Sequence, residues 1–203
     1  MNLSRSLIPA AIFGLVSAVP AHAAVLDVVN VAAPAVNCHF NTSCTVTVSD
    51  SIGNFTPPGD VGTGRLQSRT YPGTAPAPMA GKLAYVYRVD MTSVSAPTVA
   101  NCVTAIQFTF GTVTKGPYGP GGALKDMFVV TTGGLGNVGV ATAVKTGATI
   151  VINFAGSGVC PGQTSYFMGL ASTDTMPSNM TAKLFYSAGG SGTPAANVNI
   201  RVP

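Results

Sequence analysis

The chain has no tryptophan and no glutamate, and charged residues make up only 8% of its 203 positions. Glutamate is a favoured helix residue, and its absence in an alanine-rich chain argues against helices. The 24 glycines and 15 prolines would break helix interiors repeatedly. The lack of tryptophan removes the most effective aromatic platform for a sugar ring. Histidine is nearly missing as well: His22 and His39 are the whole supply. No GxSxG, redox CxxC or DxDxDG series occurs, so the usual contexts of a nucleophile elbow, a dithiol switch and an EF-hand loop are absent. Arg5 apart, lysines and arginines are scattered from Arg65 to Arg201 without a run or stripe, the opposite of a nucleic-acid footprint.

What is present begins with an export signal. Met1 to Ser6 carries Arg5. Leu7 to Val19 is an apolar run of 13 residues, and Pro20 is followed by Ala21-His22-Ala23, a small-x-small triplet. A spanning helix needs roughly 20 apolar residues, so the expectation is a signal peptide over residues 1–23, cut between Ala23 and Ala24. No cysteine follows the triplet, and Arg201-Val202-Pro203 closes the sequence without an apolar tail. The expected destination is the periplasm, the cell surface or the extracellular space, with no stable membrane span after cleavage.

Four cysteines remain: Cys38, Cys44, Cys102 and Cys160. An even count in an exported chain points to disulfides. Of the three possible pairings, Cys38–Cys44 with Cys102–Cys160 is favoured, a small loop and a long one. A metal site is the competing use, but Cys38, His39 and Cys44 offer at most three ligands without zinc-knuckle spacing. No metal and no cofactor is expected.

Strand patterns recur along residues 24–203. Lys82 to Met91 is the clearest: Leu83, Tyr85, Tyr87 and Val89 share one face, and Ala84, Val86, Arg88 and Asp90 the other. Further strands are predicted over 24–33, 44–49, 103–110, 127–131, 138–145, 148–154, 163–171, 180–187 and 196–202. Residues 50–81, with Pro57-Pro58-Gly59, Pro72-Gly73, Pro76 and Pro78, read as a long loop interrupted at most by a short strand over 64–70. The expected fold is all-β, a single antiparallel β-sandwich or jelly roll of about nine to eleven strands.

Groups suited to catalysis are few. His39 lies inside the small predicted disulfide loop. The six acids, Asp27, Asp50, Asp60, Asp90, Asp126 and Asp174, fall mostly at strand ends and turns, where aspartate bonds nearby backbone. A hydrolase would need two of them to converge. Asp50, Asp60 and Asp174 sit in or beside predicted loops and are the candidates for calcium. Tyr71 and Tyr118 fall in predicted loops and are the candidate ligand contacts.

Two segments, Gly162-Gln163-Thr164-Ser165-Tyr166-Phe167-Met168-Gly169-Leu170-Ala171-Ser172 and Met180-Thr181-Ala182-Lys183-Leu184, resemble the exported β-sandwich proteins of Gram-negative bacteria that often carry a C-terminal sorting signal. The sorting signal itself is not in this sequence. The resemblance implies a surface or matrix protein. The expected function is that of a secreted, non-enzymatic structural or interaction protein of the cell surface, a fibre or an extracellular matrix, meeting copies of itself, a surface polysaccharide or a protein. Residues 24–34 could add a strand to a neighbour. A glycan- or ligand-binding module using Tyr71 and Tyr118 is the alternative, and a hydrolase with an Asp pair the second alternative.

Overall fold

The computed structural model describes residues 22–96, 100–187 and 194–203. The proposed signal lies almost wholly outside them. Among the described residues fourteen strands form: β1 (Ala23–Val25), β2 (Val28–Ala32), β3 (Ser49–Phe55), β4 (Val61–Gly62), β5 (Gly64–Pro72), β6 (Leu83–Asp90), β7 (Val94–Ser95), β8 (Val103–Thr109), β9 (Met127–Thr132), β10 (Val140–Thr146), β11 (Thr149–Phe154), β12 (Phe167–Ser172), β13 (Ser178–Tyr186) and β14 (Pro194–Val202). A short helix, α1, covers Ala33–Cys38. The fold is an all-β sandwich. One sheet runs β1-β10-β11-β8-β13-β14 and the other β2-β9-β12-β6-β5-β3, with β4 and β7 as a separate ribbon. Every pairing is antiparallel except β2 with β9. The count exceeds the expected nine to eleven because β1, β4 and β7 are pieces of two or three residues.

The core between the sheets comes from the strand faces that alternation marks. Tyr85, Tyr87, Ile106, Phe108, Phe110, Ile150 and Ile152 are almost completely buried. Tyr87 and Phe108 pack with ring centroids 4.7 Å apart. The phenols of β6 are satisfied: Tyr85 donates to the Asp174 carbonyl at 2.9 Å and Tyr87 to the Arg201 carbonyl at 2.8 Å. The second bond stitches β6 to β14 across the sandwich. On the same side the Arg201 N–H donates to Ser68 Oγ at 3.0 Å, and a Cβ added at Gly53 would lie 2.6 Å from the Asn199 carbonyl. β14 therefore leans onto β3 and closes that edge.

The opposite edge is closed by the N-terminal segment. β1 pairs with β10 in the first sheet, the chain turns at Leu26-Asp27, and β2 pairs with β9 in the second. Residues 24–33 are thus two strands in two sheets rather than one. The segment is paired within its own chain, with β1 and β2 as the end strands of the two sheets. Pro34 does not simply end the strand. It stands in the first turn of α1, where its missing N–H costs nothing.

Residues 50–81 are not a long loop. β3 and β5 pair over the full length from Ser49–Thr70 to Phe55–Gly64. Their outward residues are mostly polar (Asp50, Asn54, Arg65, Gln67, Arg69), but Ile52 is exposed among them and the inward positions Ser51, Gly53, Ser68 and Thr70 are small or polar, which hides the alternation. Residues 44–48 form no strand. The Cys38–Cys44 bond holds them over the outer face of the second sheet. The ladder of the 163–171 segment begins at Phe167.

Both favoured disulfides form, Cys38–Cys44 and Cys102–Cys160, and no cysteine is free. They suit an oxidising, extracellular or periplasmic environment. Among the described residues no helix is long and apolar enough to cross a membrane.

Candidate functional site

A sandwich sheet normally has one dry face and one wet face. The second sheet departs from this. Six of the eight residues of β6 are buried, including Ala84 and Val86 on the face turned away from the main core. That outer face carries its own apolar cluster, in which Tyr71, Val86, Phe128, Val130, Phe167 and Ala171 meet Val36 and Phe40 from α1 and its disulfide loop, and Tyr118 from the 116–119 loop. Phe40 sits at the centre, its ring edge-on to Tyr71 (5.1 Å) and stacked with Tyr118 (6.2 Å). Backbone bonds fix this cap to the sheet: Thr74 N–H to the Phe40 carbonyl and Met79 N–H to the His39 carbonyl, both 2.8 Å.

The cap covers only part of the face. Next to it lies a cavity of about 320 Å³. Its floor is Val86, Phe128, Val130 and Phe167. Val36 and Asn37 of α1 stand on one side, Gly133–Leu135 on another, and Tyr71 with Arg69 on a third. Register explains the arrangement. Arg69 pairs with Val86, Val86 with Gly169, and Gly169 with Phe128, so a line of outer-face positions crosses four strands. Gly169 leaves room for the Phe128 ring to lie across β12: an added Cβ would be 2.7 Å from Phe128 Cε1 and nearer still to Cζ.

Beyond the cavity the face turns polar. The Arg69 guanidinium lies 4.1 Å from the Phe167 ring centroid and that of Arg88 4.9 Å, within cation–π reach. Arg69 Nε also donates to Asp50 at 3.1 Å, and Arg88 Nη2 to Asp90 at 3.4 Å. Burial lowers the pKa of Arg88 against the pull of Asp90. Burial opposes ionisation of Asp90, but the Thr92 hydroxyl and amide with Arg88 and Arg65 hold its carboxyl below the usual range. The site is therefore amphipathic, with an aromatic and aliphatic floor and a guanidinium wall.

The sequence candidates divide as follows. Tyr71 is in β5 rather than in a loop. It is buried, and it does line the cavity. Tyr118 is in a loop as expected but is equally buried, packed on Phe40 and His39 rather than presented to solvent. It borders a second, shallower groove beside β2. Burial pushes both phenol pKa values up. His39 ends α1 half-buried, and burial lowers its pKa. Ala23 and Ala24 lie in β1 at the sheet edge. Arg69, Phe128 and Phe167, the residues that make the cavity, carry no signal of their own in the sequence. Only the outer-face pattern of β6 points toward them.

The aspartates converge in two places, each around cations. Lys115 Nζ bridges Asp27 (3.2 Å) and Asp126 (3.3 Å), and the Asp27 N–H donates to Asp126 at 2.9 Å. The hydrogen bond from Lys115 and its charge hold Asp27 below the ordinary carboxylate range. Asp50 and Asp90 flank Arg69 and Arg88. A glycosidase acid needs a raised pKa, whereas Asp27 and Asp90 are held below the ordinary carboxylate range. Among the described residues no group of three or more His, Cys, Asp or Glu gathers.

The architecture defines a disulfide-braced β-sandwich with one roofed sheet face. Compared with protein-family models, with curated proteins and with solved structures, the chain matches none of them.

Proposed function

We propose that the chain is an exported, non-enzymatic interaction protein of the cell surface or extracellular matrix, and that the cavity beside Arg69 is where it takes hold of its ligand. One observation carries this reading. A sheet face that could simply be wetted is instead roofed by a disulfide-tied cap, and the roof stops short over an aromatic floor with a guanidinium at its edge. Ligand sites of this kind are concave, largely apolar and fitted with a few placed polar groups. Arg69 uses Nε on Asp50, and among the described residues no bond engages its two terminal nitrogens. The chemistry that fits is a carboxylate on a compact apolar or aromatic body, free or at the end of a larger partner.

Titration of the protein with benzoate, followed by NMR or calorimetry, tests the reading. Saturable binding lost in Arg69→Gln and in Phe167→Ala is the expected result. Glucuronate binding in place of benzoate would move the site to the glycan alternative. Binding of neither, in a protein that polymerises by size-exclusion chromatography, would transfer the function to the strand edges and overturn the cavity.

A further inference from the structure

Five of the six aspartates have partners. Asp50 accepts from Gln67 and Arg69, Asp27 and Asp126 from Lys115, Asp90 from Thr92 and Arg88, and Asp174 caps the Met176 N–H. Asp60 is the exception. It is 8% exposed, and both carboxylate oxygens are buried without a hydrogen bond among the described residues. It ends the Pro57-Pro58-Gly59 turn, its N–H donating to the Pro57 carbonyl at 3.2 Å, and Gly59 takes the left-handed conformation the turn needs (φ 79°). The turn is pinned to the start of β8 by the Asn101 side chain, which donates to the Pro58 carbonyl at 2.5 Å, next to the Cys102–Cys160 bond.

A third orphan oxygen belongs to the strand end beside this turn: Tyr186 pairs with Val103 and Ser187 bonds with Cys102, next to the Asn101 that holds Pro58. Tyr186, the last residue of β13, is 3% exposed and its hydroxyl has no partner among the described residues. Its ring is held against Phe55, 6.4 Å between centroids. Burial raises its pKa, and the Asp60 charge adds to the rise. An ionised carboxylate stripped of water and left unpaired is strongly disfavoured. The rest of the molecule satisfies its carboxylates, so this turn stands out as a place built for something else.

We propose that Asp60 and Tyr186 form a calcium site that ties the Pro57–Asp60 turn to the end of β13. The orphan atoms at this turn are all oxygens, two on one carboxylate and one on a phenol, which is hard-cation chemistry rather than that of zinc or copper. Calcium accepts irregular oxygen shells completed by backbone carbonyls and water. A single carboxylate puts the affinity at the weak end, a Kd of about 0.1–1 mM, the range of extracellular modules. The site is separate from the Arg69 cavity and does not depend on the function proposed for it.

Thermal unfolding of the protein in EDTA and in 10 mM CaCl2 at matched ionic strength tests this. Calcium at about ten to a hundred times Kd raises Tm by about 3–11 °C for a domain of this size. Asp60→Asn is expected to abolish the shift and, with the buried charge gone, to melt in EDTA no lower than the wild type. Terbium in place of calcium gives a second readout, because a tyrosine beside the ion sensitises its luminescence and the chain has no tryptophan. Tyr186→Phe is expected to remove that emission, and it keeps the test open if Asp60→Asn fails to fold. An unchanged wild-type Tm, a shift that survives Asp60→Asn, the same shift with MgCl2, or emission that survives Tyr186→Phe would each overturn the site.

Discussion

Gly169→Ala is the sharpest probe of the roofed sheet. A methyl group there would fall on the Phe128 ring, 2.7 Å from Cε1 and closer to Cζ. The ring can yield only toward the Arg69 cavity, whose floor it forms. It is fully buried, with Tyr118 4.9 Å away and Phe40 6.3 Å away by centroid. Overpacking of this kind costs about 1–3 kcal/mol. Replacing a strand glycine by alanine returns about 0.5–1 kcal/mol through the unfolded chain. The net expectation is a loss of about 1–2 kcal/mol, or a fall in Tm of about 2–6 °C. Urea unfolding of the wild type, Gly169→Ala, Phe128→Leu and the double variant separates the clash from general strand effects. The double variant should be about 1 kcal/mol more stable than additivity predicts, because the shorter side chain vacates the overlap. A stabilised Gly169→Ala, or an equal cost in both backgrounds, would refute this packing.

The two disulfides should differ in weight. In the chain-entropy model, the separation of 58 residues makes Cys102–Cys160 worth about 4 kcal/mol and the separation of 6 makes Cys38–Cys44 worth about 2, so denaturant midpoints of the two double-alanine variants should fall in that order. Tyr87→Phe removes the bond to the Arg201 carbonyl and should cost about 1–2 kcal/mol by urea titration; no change would mean the β6–β14 stitch is idle. His39 has a folded pKa below its unfolded value of about 6.5, so the unfolded state binds more protons in that window. Stability is complete above pH 6.5 and declines as pH falls toward the folded value, and His39→Gln should flatten that part of a Tm–pH profile. Asp90, also lowered, contributes stability above about pH 4 that disappears as pH falls through its folded pKa. Asp90→Asn should therefore lose its deficit relative to wild type in strong acid.

Period-two alternation makes most of the ladder legible in the sequence. Leu83, Tyr85, Tyr87 and Val89 fall on the core face as the pattern predicts, and the hairpin of 138–145 with 148–154 turns at Thr146-Gly147. Ala84 and Val86 show the limit. Alternation says they face away from the main core, but not that Phe40, more than forty residues earlier in sequence, covers that face. Tyr71 reads as a loop residue because Pro72-Gly73 marks a turn, and the strand runs up to that turn. β3 and β5 escape the pattern because their inward face carries Ser51, Gly53, Ser68 and Thr70 where apolar residues would mark a strand, and Ile52 points outward. The Arg69 cavity is illegible for the same reason as the roof: it is made by residues from α1, β5, β6, β9 and β12, and no local pattern records their meeting. Asp60 looks like any turn aspartate, since burial of a turn depends on what packs over it.

The way β1 and β2 seal one flank also dictates an order of events. The partners of this short stretch, β10 and β9, lie roughly a hundred residues further along. Whether the polypeptide emerges from a ribosome or threads through a translocation channel, its leading end must wait, unpaired, until most of the rest has followed. Contacts so distant in sequence close slowly. These strands therefore pair only after β9 and β10 have followed, and the flank they guard stays open to wrong partners for as long as they wait.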